Sequence, residues 1–146
     1  AERDALIAAV AALPDEVARV SHELPLRANL SALDNIALIP LYQRHTTAAE
    51  AARQALGLLE QLGHTDIAGL RDPDMTPAQR FVTKLARALI LGRPRLVIDR
   101  PGAMLYDVAY PDFIRQLAAH ADLAGIWEIF DFSWNQVLYN QARESE

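Results

Sequence analysis

Cysteine is missing from all 146 residues, which excludes a disulfide framework, a thiolate zinc site and a cysteine nucleophile together. Lysine is nearly missing: Lys84 stands alone among 14 basic residues, set against 19 acidic ones for a net charge of −5. So acidic a chain is a poor match for a phosphate backbone, and no nucleic acid is expected as a partner. No apolar run approaches the ~18 residues a membrane span needs, so direct membrane insertion is not expected. The opening AERDALIAAV lacks the basic start of a signal peptide, which makes a cytoplasmic location the default expectation. Also lacking are H-E-x-x-H and any i, i+4 pairing among His22, His45, His64 and His120, so no metal site is expected. No G-x-S-x-G elbow offers a hydrolase serine. What remains is globular: 51% hydrophobic and 23% charged residues suffice for one domain, 1–146, with its own core.

Start and stop signals divide the chain. Residues 2–13 (ERDALIAAVAAL) read as a helix ended by Pro14, and Val17 to Ser21 (VARVS) as a short strand. Ser31 with Asp34 marks a helix start, followed by the apolar Leu33, Ile36, Ala37 and Pro40. Thr47 and Glu50 form a T-x-x-E capping box. The helix they open has Ala51, Ala55, Leu58, Leu59 and Leu62 at helical spacing, with Gly63 to end it in a left-handed conformation. Thr76-Pro77-Ala78-Gln79 is a second capping box with proline at the first helical position; its helix should run to about Leu91 and stop at Gly92. RLVID, Arg95 to Asp99, reads as a buried parallel strand whose terminal aspartate caps a turn. Residues 111–120 read as a helix, GIWEIF (125–130) as a third strand, and Ser133 with Gln136 as the start of a last helix. Trp127, Phe130, Phe132, Trp134 and Tyr139 gather the aromatics near the C-terminus, where core packing is their expected role. Strands separated by helical stretches imply an α/β fold: a small parallel sheet with a helical subdomain at roughly 30–92 inserted between strands.

These features, in this order and spacing, resemble the second part of an ABC-transporter ATPase domain, from about Val17 to Leu138. VARVSHELPLRANLSALDNIAL is similar to the family's strand into its Q-loop, with SALDN matching the T-A-L-E-N segment. LLEQLG is similar to the L-L-E-x-V-G helix end, and MTPAQRFVTKLARAL falls at the L-S-G-G-Q signature and the A-R-A-L helix. RPRLVIDRP sits at the Walker B strand with its D-E-P, and FDF at the switch histidine. The resemblance implies a partial P-loop-NTPase-like fold, and ATP with magnesium as the family's ligands. By resemblance, the nucleotide-side positions are His22 (the Q-loop glutamine), Thr76 and Gln79 (the signature) and Asp99 (the magnesium-side carboxylate).

The departures from the family pattern are as informative. The phosphate cradle G-x-x-x-x-G-K-[ST] does not occur; the family places it ahead of Val17, where sixteen residues stand here. Pro77 removes a backbone donor from the signature. Arg100 stands at the general-base glutamate, Tyr106 at the D-loop aspartate and Phe130 at the switch histidine. Without a water-activating base or terminal-phosphate sensor, no catalytic residue is assigned, and neither ATP nor magnesium is expected to bind. Thr76 and Gln79 are as well explained by the helix cap. The segment around Leu41 and Tyr42 lies where the family's groove receives a membrane permease, or forms ordinary helical core. Sheet edges left uncovered would invite self-association.

Three readings stand. The first is a catalytically inactive nucleotide-binding-domain-like protein of an ABC transport system. It would act by contact with a permease or a partner ATPase subunit, peripheral at the inner face of the membrane. The second is a stand-alone interaction or regulatory module with an ABC-like fold. The third is a fragment of a longer ABC ATPase.

Overall fold

The computed structural model describes residues 16–121 and 126–130; the helices expected at 2–13 and after Ser133, with Phe132, Trp134 and Tyr139, lie outside the described residues. Three parallel strands, β1 (Val17–Val20), β2 (Arg95–Asp99) and β3 (Ile126–Phe130), form one sheet in the order β1-β2-β3. Val17 pairs with Arg95 and Arg95 with Ile126, which brings Asp99 opposite Phe130 at the far end. Val97 and Ile98 are wholly buried, as expected of a central strand covered on both faces. β1 stops one residue short of expectation. Ser21 turns the chain instead, its Oγ accepting from the Glu23 N–H (3.2 Å) and its carbonyl from the Leu24 N–H (3.1 Å).

Between β1 and β2 run three helices: α1 (Ala32–Gln43), α2 (Ala48–Leu62) and α3 (Pro77–Leu89). A fourth, α4 (Tyr110–Ala121), joins β2 to β3. Each of the first three starts on a hydroxyl cap: the Oγ atoms of Ser31, Thr47 and Thr76 accept from the N–H groups of Asp34, Glu50 and Gln79. At α3 the box is reciprocal, since Gln79 Oε1 accepts from the Thr76 N–H at 2.9 Å. At α2 it is not, which corrects the expectation for Thr47 and Glu50. The Glu50 carboxylate faces forward to Arg53 and Gln54, because a bidentate charge-assisted pair outcompetes a neutral N–H donor. Gly63 closes α2 at φ 78°, with the Gly63 and His64 N–H groups on the carbonyls of Glu60 and Leu59. α3 ends earlier than its spacing suggests. Ile90 and Leu91 form a tightened last turn before Gly92 at φ 69°, and the Ile90 carbonyl accepts from Arg44 Nη2 at 2.7 Å.

The helices α1, α2 and α3 pack on one another, α3 also on β1, and α4 on α2. α3 is the hub. Phe81, Val82, Thr83, Leu85 and Ala86 are each wholly buried, the inward face of a helix whose charges sit at Arg80, Lys84 and Arg87. Thr76→Ala should therefore lose about 1 kcal/mol, the usual cost of an N-cap hydroxyl, read as a lower midpoint in urea unfolding. Trp127 packs against this core.

Candidate functional site

Of the residues singled out in the sequence, Asp99 and Arg100 lie at the C-terminal end of β2, where parallel α/β sheets place their chemistry. Asp99 is 3% exposed. Its Oδ2 lies 3.3 Å from Arg100 Nη2, which also reaches Glu23 Oε1 at 3.2 Å. Arg100 adopts φ 49° and ψ 65°, a left-handed conformation that costs a non-glycine residue about 1–2 kcal/mol. Pro101 begins the following short turn with φ already fixed. The Asp99 carboxylate, then the field of Glu23, holds the guanidinium more firmly protonated than usual. A carboxylate already facing a fixed cation is a poor ligand for a divalent ion, and no group of three His, Asp or Glu side chains gathers for a metal among the described residues.

Thr76 and Gln79 stand at the start of α3, where their polar atoms close the capping box. Phe130 ends β3 beside Asp99 in register. His22 and Tyr106 come together on the wall of a cavity of about 390 Å³ that also exposes Arg80, Lys84 and Asp72. Lys84 was not predictable as a site residue: its place on α3 is a helix position like any other until β1 packs there. Lys84 is 8% exposed, and its ammonium donates to the Ser21 carbonyl at 3.3 Å. Burial pushes its pKa down, and Arg87 and Arg80 push the same way against the opposing charge of Asp72. The unfolded chain thus holds this proton more tightly than the folded protein. Stability should rise as pH climbs through the lowered value toward the ordinary lysine range of about 10.4. Lys84→Met should lack that rise when the two proteins are compared by thermal unfolding across the alkaline range.

A second, larger hollow of about 660 Å³ opens between β1, the loop after it, α1 and the end of α3. Leu38, Ile39 and Tyr42 of α1 line it, and Tyr42 is 71% exposed, which overturns the core reading for that residue. Its charged lining is basic: Arg19, Arg27, Arg87 and Arg93, with no carboxylate among the described residues. Arg87 donates to the carbonyls of Leu24 and Pro25 and Arg93 to that of Val17, so two of the four hold the walls. Arg19 Nε is buried with no hydrogen-bond partner among the described residues. The loop from Ser21 to Leu30 is organised by Asn35, the last residue of the SALDN segment, whose role the sequence match did not reveal; its side chain bonds to Arg27, Leu30 and Ser31.

No protein-family model matches the chain, and no curated protein is significantly similar to it. Solved structures do match its fold. A dimeric ATP-binding cassette in a post-hydrolysis state bound to ADP and Pi superposes with a TM-score of 0.65 at 23% identity, over 83% of this chain and 54% of that one. A dimeric bacterial ABC transporter cassette superposes with a TM-score of 0.65 at 20% identity, over 90% of this chain and 58% of the other. The chain thus spans a little over half the length of these cassettes. Its three-stranded parallel sheet and helices have the fold of the corresponding part of an ABC ATPase. Among the described residues no helix is long and apolar enough to cross a membrane.

Proposed function

We propose that this chain is a cassette-like component of an ABC transport system that does not hydrolyse ATP and acts by contact with a permease or a partner ATPase subunit. The observation that carries the reading is the guanidinium of Arg100 on the Asp99 carboxylate. At the position where the family's mechanism needs a proton acceptor, this protein holds a fixed positive charge. The magnesium-side carboxylate is committed to that charge as well. Pro77 offers no backbone donor and Phe130 no hydrogen bond, so the same conclusion follows if these residues belong to a longer cassette.

The hollow beneath Tyr42 supports the contact. An apolar helix face flanked by four arginines suits a partner segment that presents apolar side chains beside carboxylates or helix-end carbonyls. A photo-crosslinker at Tyr42, in cells, should capture a membrane permease subunit. Capture of soluble proteins alone would favour the stand-alone module instead. Inactivity has its own assay. Arg100→Glu restores the family's residue, yet should release phosphate from ATP no faster than an Asp99→Asn control, because a base accelerates attack only on a phosphoryl group already held in line. Turnover clearly above that control would overturn the inactive reading.

A further inference from the structure

The only lysine of the chain is buried beside a cavity, with no carboxylate in salt-bridge contact among the described residues. Lys84 has three N–H donors, and among the described residues its one hydrogen bond is the 3.3 Å contact to the Ser21 carbonyl. Asp72 is the carboxylate whose field reaches it, and Asp72 Oδ1 is already engaged by Arg80 Nε at 3.2 Å. Lys84, Arg80 and Asp72 therefore leave one positive charge over, and Arg87 adds a second cation to the same field. A buried ammonium with unfilled donors is costly, and an anion in the adjoining space would relieve both deficits at once. The space is there. At about 390 Å³ the cavity falls within the range of small-molecule sites, and part of its wall is apolar, with the more exposed Pro25, Pro77 and Ala103 lining it together with the charged groups.

We infer that this cavity binds a small organic anion, its carboxylate or phosphate group against Lys84 and its apolar body against Pro25, Pro77 and Ala103. Tyr106, 73% exposed, and His22 stand at the opening and can add hydrogen bonds to the same group. The site is independent of Asp99 and of any contact at Tyr42, so it holds or fails separately from the transport reading.

A single lysine makes the test direct, since ¹³C-lysine labelling of the whole protein yields one ε-methylene signal. Benzoate, phenyl phosphate, inorganic phosphate and Mg-ATP are each titrated against it, with sodium chloride at matched ionic strength as the control. The signal should move saturably with benzoate or phenyl phosphate, and which of the two binds tighter identifies the acid group. The same probe should raise the melting temperature of the wild type. Lys84→Met should bind it at least about tenfold more weakly, as expected when a charge-assisted bond is lost, and lose that rise. An equal shift with chloride, a shift with Mg-ATP alone, or no shift with either organic probe at tens of millimolar would overturn the inference. So would an undiminished rise in Lys84→Met. Should that variant not fold, the wild-type titration decides alone.

Discussion

Phe81→Ala should lose about 3–5 kcal/mol, the range found when a buried phenylalanine is truncated in a core that cannot collapse around the gap. Phe81 is wholly buried at the middle of the domain. Its ring lies 6.4 Å from that of Phe113, tilted by 59°, and Phe113 in turn meets His64 edge-on at 6.0 Å. The side chain thus joins α3, at the centre of the helical subdomain, to α4, which crosses between β2 and β3. Neighbours on two elements that are both anchored elsewhere cannot all move in. Against a total of about 5–15 kcal/mol for an ordinary domain, the loss is about a fifth or more, and the melting temperature should fall by roughly 6–20 °C. Phe113→Ala should cost less, because that ring is only half-buried. Circular dichroism melts of the two variants, side by side, check both expectations. A loss under 1 kcal/mol for Phe81→Ala would mean that α3 does not hold the two regions together.

What could be read in the sequence was local. Ser31, Thr47 and Thr76 announce helix starts because a hydroxyl needs only its own next turn to make a cap. Gly63 and Gly92 announce ends because a left-handed residue needs only its own backbone freedom. RLVID announces a buried strand through its run of branched side chains, and the parallel sheet follows from the helices between strands. The α2 box was misread for a local reason too: T-x-x-E does not show that Arg53 competes for the carboxylate. What stayed hidden depends on closure over long stretches of chain. Arg100 meets Glu23 across 77 positions and Lys84 meets Ser21 across 63. No spacing rule connects those pairs, since the fold alone makes them neighbours. Tyr42 was legible as a groove or core residue but not as which, because a helix face is apolar for either purpose. The ABC resemblance located His22 and Tyr106 one by one; it did not show them facing one cavity.

Asn35→Ala should cost about 2–4 kcal/mol, more than any cap, because it strands several backbone groups at once. Asn35 is 1% exposed at the start of α1. Its Oδ1 accepts from the Arg27 N–H at 2.9 Å, while Nδ2 donates to the carbonyls of Arg27, Leu30 and Ser31 at 3.2, 3.3 and 3.0 Å. One amide thereby replaces the ladder that an irregular loop lacks, and fixes the strand-to-helix connection that forms a wall of the hollow under Tyr42. Asn35→Asp is the sharper variant. It keeps an acceptor for Arg27 but turns the donor end into a second carboxylate oxygen facing three carbonyls, so it should be at least as damaging as alanine despite its near-identical shape. Both should deprotect the Arg27 amide in hydrogen exchange well before global unfolding, and both should weaken capture through Tyr42. The competing account is that Arg87 holds the loop unaided, through its bonds to Leu24 and Pro25 at 2.7 and 2.8 Å. On that account Arg87→Met would release the Arg27 amide and Asn35→Ala would not. The two variants, measured in one exchange experiment, therefore decide which residue carries the connection.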